Sequence, residues 1–283
     1  MRWQDGRQSG NIEDRRGYGR AQATVGGLGA AGVVAVLIGV FVFGVDPNEM
    51  ISAVTGPDAV QQDAAHGTPA DEAGRFVGAV ETSTTDVWTT LFSKSGKTYA
   101  PTAGVVLYDQ MTPTGCGPGQ AAMGPFYCPV DHKVYLDLAF WNELESRFGA
   151  KGDFARAYVI AHEIGHHVQF LRDELAEGQA FRAQGDGGGQ VRVELQADCY
   201  AGVWAARTGA ATNGAVALEA GDIEEGLAAA SSVGDDTIQR KTQGRVVPDS
   251  FTHGTSEQRM RWFKRGYDSG DPGQCDTFSA TTL

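Results

Sequence analysis

Ala157-Tyr-Val-Ile-Ala-His-Glu-Ile-Gly-His-His-Val-Gln-Phe-Leu171 is the stretch that decides how this chain is read. Its apolar positions, continued upstream by Phe154 and Ala155, predict a half-buried helix over residues 152–171. On a helix His162 and His166, four residues apart, share one face, so both imidazoles reach one metal ion from the same side. Glu163 stands one step round, where it contacts a water without ligating the metal. The HExxH spacing therefore supplies two zinc ligands and a general base for hydrolysis. The small residues Ala161 and Gly165 leave room for an ion and its ligands.

Two histidines need a third protein ligand, and a carboxylate is a common choice. Glu194-Leu-Gln-Ala-Asp198 lies in a second helix-compatible stretch, residues 190–207, with both acids on one face. Two carboxylates at this spacing are by themselves usually a solvated helix face. Beside HExxH, Glu194 becomes the third ligand. Asp198, one turn on, accepts the outward N–H of a ligating histidine and fixes its tautomer. A three-histidine site would need a histidine six residues after His166, and Arg172 excludes it.

His253, in Phe251-Thr-His-Gly-Thr-Ser-Glu-Gln-Arg259, precedes a helix that Thr255 or Ser256 would cap. It is the candidate catalytic donor to a developing oxyanion; its plainer reading is a histidine that structures the turn. His167 points about 100° away from His166 and takes a core role. His132, in a turn before a strand, and His66 are not assigned to the metal. The acids Glu219, Asp222, Glu224, Glu225, Asp235 and Asp236 lack the spacing of a calcium loop and read as solvated helix ends.

These residues resemble the HExxH-plus-glutamate zinc peptidases, of which thermolysin is an example. The chain is more closely similar to a bacterial family of single-span envelope proteins called "putative neutral zinc metallopeptidases". The matching stretches are Met1-Arg-Trp3, Glu13-Asp-Arg-Arg-Gly17, Gly115-Cys116, Gly124-Pro-Phe-Tyr-Cys-Pro129 and Val134-Tyr-Leu-Asp-Leu138. They continue through His162 to Gln169, Glu194 to Cys199 and Ser250 to Arg259. The resemblance implies a zincin-like domain binding one Zn2+ per chain and acting on a peptide or protein substrate.

Residues 21–45 contain no charged side chain, and about 20 apolar residues span a bilayer. The stretch runs into Asp46-Pro47-Asn48 without a small-residue cleavage site, which reads as an uncleaved anchor. Five arginines precede it and none follows before Arg75, so the positive-inside rule puts residues 1–22 in the cytoplasm. Residues 46–283 then lie outside. The N-terminal segment carries a net charge of +2; with −12 overall, the remainder holds −14. An acidic outer part argues against nucleic acid as a partner.

All four cysteines, Cys116, Cys128, Cys199 and Cys275, follow the apolar stretch, in the compartment where disulfides persist. Cys116 with Cys128 would staple a Gly- and Pro-rich loop, and Cys199 with Cys275 would tie the Glu194 helix to the C-terminus. Four cysteines allow three pairings, which spacing alone does not resolve. Residues 46–75, poor in large apolar side chains, read as a flexible linker.

The expected organisation is a cytoplasmic segment (1–22), a transmembrane helix (23–45), the linker and a metallopeptidase domain (76–283). That domain is helix-rich α+β with a small sheet. Helices are expected at 72–92, 139–148, 152–171, 190–207, 218–232 and 255–265, and strands at 105–108 and 134–138. Val134 to Leu138 is either an interior strand or the exposed edge on which a substrate strand pairs. The function these features imply is a membrane-anchored zinc endopeptidase. The alternatives are a zinc-bound, non-catalytic envelope binding module and a hydrolase of peptidoglycan cross-links.

Overall fold

In the computed structural model, residues 1–17, 65–180 and 184–283 are described. Their strands are β1 (Ile12–Asp14), β2 (Ala65–His66), β3 (Gly104–Tyr108), β4 (Met111–Thr114), β5 (Gly117–Gln120), β6 (Phe126–Cys128) and β7 (Lys133–Asp137). Their helices are α1 (Glu72–Lys94), α2 (Phe140–Ser146), α3 (Asp153–Leu171), α4 (Glu174–Ala180) and α5 (Gly189–Ala211). α6 (Asp222–Ser232), α7 (Asp235–Gln243) and α8 (Ser256–Ser269) follow. The architecture is helix-rich α+β, as the sequence led one to expect.

The helical layer is built on close approach. Gly165 of α3 lies against Ala197 of α5, where a Cβ would come within 3.2 Å of the Ala197 carbonyl oxygen. The small residue thus brings the Glu194 helix to the histidine helix, a different service from making room for the ion. Gly202 on α5 and Gly266 on α8 do the same for the next interface, since a Cβ on either would collide with the backbone of the other helix. Trp204 stacks on Phe154 with centroids 5.9 Å apart, and its indole N–H donates to Ser83 of α1. Burial of these aromatic and aliphatic side chains contributes roughly 25 cal/mol per Å² of apolar surface. Cys199–Cys275 then ties α5 to the segment after α8.

The sheet order is β2-β1-β3-β7-β6. β3 pairs in parallel with β1 and β7, while β6 runs antiparallel to β7 and forms one edge, β2 the other. Val134 to Leu138 is therefore not the edge: β7 is flanked on both sides. Its Val134, Tyr135 and Leu136 are buried, the mark of a central strand.

The N-terminal residues belong to this domain, which corrects a boundary at residue 76. Ile12 is fully buried, and Trp3 packs edge-on against Phe76 at 5.2 Å while its N–H donates to Asp153. Glu13 pairs with Lys133 at 2.7 Å, and Arg16 bridges Asp14 and Asp71. Arginines that look like flanking charge are thus partly consumed in holding β1. Asp14 stands opposite Ala65, so both ends of the intervening segment meet at neighbouring strands. Residues 65–75, assigned to the linker, supply β2 and the Asp71-capped start of α1. Among the described residues, no helix is long and apolar enough to cross a membrane. The expected span, 23–45, lies outside the described residues.

Candidate metal centre and cleft

α3 and α5 present His162, His166 and Glu194 to one point, their ligand atoms all within 4.8 Å of one another. His162 Nε2 lies 3.2 Å and His166 Nε2 3.6 Å from the two Glu194 oxygens. Two imidazole nitrogens and a carboxylate are the donor set of a three-ligand zinc site, so the residues fit a zinc ion. The other ring nitrogens are committed elsewhere. His162 Nδ1 donates to Asp198 at 2.9 Å, and His166 Nδ1 to Gln169 at 2.8 Å. Each outward bond turns Nε2 towards the centre and makes it the nitrogen that would face a metal. Burial disfavours the His162 cation, but the Asp198 charge and hydrogen bond outweigh it, and its pKa is pushed up to about 10. The His166 charge and the hydrogen bonds from His162 and His166 hold Glu194 well below the usual carboxylate range against its own burial. Positive charge is what this pocket is built to receive.

Glu163, 7 % exposed, lines the same cleft, which has a volume of about 820 Å³. His253 lines it too, from the turn before α8. Asp235 fixes that turn: its carboxylate accepts the backbone N–H groups of Thr252, His253 and Gly254 and faces His253 Nδ1 at 3.3 Å. Burial lowers the His253 pKa, yet the Asp235 hydrogen bond and the Glu194 charge raise it above its ordinary value. Asp235 is buried, as is Asp222, so the reading of these acids as solvated helix ends fails for both. A short acid at the start of a helix looks like surface charge in the sequence because its partners lie 17 to 19 residues away. Thr255 caps α8 with a full capping box through Gln258.

The opposite wall comes from the sheet. Phe126 and Tyr127 of β6 line the cleft, with Phe140, Phe148, Val159 and Ile238 extending its apolar surface. His167 clasps this wall to α3: Nδ1 meets the Tyr127 hydroxyl at 2.9 Å and Nε2 the Ala100 carbonyl at 2.8 Å. His132, left-handed at φ 58°, packs its ring 4.5 Å from Phe170. His66 is exposed on β2. None of the three reaches the metal centre.

The model of the family described as "Putative neutral zinc metallopeptidase" matches residues 1–278. The chain belongs to this family. Among its relatives, the Escherichia coli (strain K12) protein named "Uncharacterized protein YpfJ" is 47 % identical over 289 aligned positions, covering 98 % of this chain and 99 % of the relative. The Mycobacterium tuberculosis (strain H37Rv) protein named "Uncharacterized protein Rv2575" is 50 % identical over 184 positions, 62 % of each chain. No solved structure matches the chain.

Four residues escaped the sequence reading. Asp235 had the wrong assignment. Gln169, three residues after His166 on the same helix, was visible as a spacing. Tyr158 and Arg259 converge on Asp198 from 40 and 61 residues away, and no local pattern announces them.

Proposed function

We propose that this chain is a zinc endopeptidase with a zincin-like catalytic domain. The convergence of His162, His166 and Glu194 beside Glu163, on an open cleft, carries the reading. A purely structural zinc site would be closed by a fourth protein ligand and would need no base. When bound, zinc supplies Lewis acidity, which lowers the pKa of a water and polarises a scissile carbonyl. Glu163 takes the proton of the attacking water and returns it to the departing amine. His253, oriented by Asp235, donates to the carbonyl oxygen as negative charge develops there. β6, the sheet edge on the cleft, aligns the peptide by adding it as a further strand.

The test is zinc content and cleavage of peptide and muropeptide libraries by the full chain and by Glu163→Gln. About one zinc in both proteins is expected, with activity down roughly 10²–10⁴-fold in the variant. Equal cleavage by the two would remove Glu163 from its role. Zinc-loaded protein that cleaves nothing would favour the binding module, and cleavage of muropeptides alone would favour a cross-link hydrolase. In the same assay His253→Ala should lower kcat about 10²-fold with KM little changed. A normal kcat with a lower melting temperature would leave His253 as a turn residue.

Two disulfides and the apolar stretch at 21–45 support a domain outside the cytoplasmic membrane, attached to lipid through that stretch. Because β1 pairs with β3, this proposal sets residues 1–17 on the same side as the cleft, in place of the cytoplasmic position expected for residues 1–22 from the charge asymmetry. Trapping of thiols in intact cells should find all four cysteines oxidised; free thiols would argue for a reducing compartment.

A further inference from the structure

We propose that Arg259 is a positioning residue of the metal centre, acting through Asp198 on the His162 ligand. The inference rests on the peptidase reading for its kinetic consequence only. Arg259 stands one turn into α8, 4 % exposed. Its guanidinium grips Asp198 with two parallel bonds, Nε to Oδ2 at 2.8 Å and Nη2 to Oδ1 at 2.9 Å. Nη2 also reaches the Tyr158 hydroxyl at 3.2 Å, and Nη1 the Val233 carbonyl at 3.3 Å. Tyr158 itself donates to Asp198 Oδ1 at 2.5 Å, the oxygen that also receives His162 Nδ1.

This geometry does two things that a lone Asp198 does not. A fork-to-fork pair fixes the plane of the carboxylate, so Oδ1 is held towards the imidazole and the ring cannot swing. Asp198 is also fully buried, where an unpaired carboxylate is very costly. Charge is the second effect. Glu194 and Asp198 together neutralise a divalent ion; Arg259 returns one positive charge and preserves the pull of the centre on an oxyanion. Four of its five N–H groups are taken by Asp198, Tyr158 and Val233, so its main commitment is to the Asp198 carboxylate, although it also lines the cleft.

The experiment compares full-length Arg259→Lys, Arg259→Met and Arg259→Ala with the parent protein. Circular dichroism checks each fold, zinc affinity is read by chelator competition, and the visible spectrum is taken of cobalt-substituted protein. Arg259→Met and Arg259→Ala should bind zinc about 10–100-fold more weakly, with a shifted cobalt spectrum. Arg259→Lys keeps the charge but loses the fork, and should fall between them and the parent. Millimolar guanidinium should recover part of the zinc affinity of Arg259→Ala. In turnover, kcat should fall with KM little changed.

A folded Arg259→Met with parental zinc affinity and cobalt spectrum would overturn the proposal. So would Arg259→Lys that folds yet binds zinc no better than Arg259→Met. A parent protein that binds zinc and cleaves nothing would sink the peptidase reading while leaving both metal measurements in force.

Discussion

The two walls of the cleft are made in different ways. On one side α3 and α5 hold His162, His166 and Glu194 through helical spacing and a single close approach at Gly165. On the other, β6 is three residues long and depends on β7, on His167 and on the Cys116–Cys128 disulfide for its place. On the first wall each histidine is oriented by a buried partner on a packed helix, His162 by Asp198 and His166 by Gln169. The second is an edge, paired with the sheet along one side only. Metal chemistry needs fixed geometry, whereas an incoming peptide needs unpaired backbone groups. On the proposed function, the fold supplies each where it is needed.

The largest effect that would break this contrast lies on the helical wall. Glu194→Ala removes the one ligand that α5 contributes and leaves two imidazoles whose geometry α3 alone sets. Zinc should then be lost on dialysis under conditions where the parent chain keeps it, and hydrolysis should go with it. Secondary structure should change little, because Glu194 faces the cleft and not the core. Retention of stoichiometric zinc would show that another group is the third ligand, and the division of labour drawn here would collapse.

The same contrast explains what could be read from the sequence. The helical wall was legible: four-residue spacings at His162 and His166, and at Glu194 and Asp198, place side chains on one face whatever the tertiary context. Helix boundaries followed for the same reason, within a few residues for α1 and α3. The sheet wall was not legible. β1 and β6 are three residues each, too short for an alternation pattern, and their partners are set by long-range register. Val134 to Leu138 has a strand's composition, but only the pairing shows which neighbour covers it. Asp235 is misread, and Arg259 goes unassigned, for a related cause. A buried charge looks like a surface charge until its distant partner is known.

The smallest effect expected concerns the staple of the sheet wall, and it is the one that most sharpens the comparison. Cys116 and Cys128, 12 residues apart, close a loop that carries β5 and leads into Phe126 on the cleft. In the chain-entropy account a loop of this length contributes about 3 kcal/mol. Other contacts remain when the bond is gone: Asp131 still receives the Gly115 N–H and the Tyr135 hydroxyl, and Phe126 still stacks on Tyr135 at 5.0 Å. The double substitution Cys116→Ser with Cys128→Ser should therefore lower the melting temperature and loosen β6 without unfolding the helices. For a peptide long enough to pair with the edge, KM should rise several-fold while kcat stays within about twofold. Zinc content should not change, because no ligand or ligand partner lies in the loop. A fall in kcat or in zinc content would mean that the walls are coupled, and that the edge strand helps to hold the metal centre as well as the peptide.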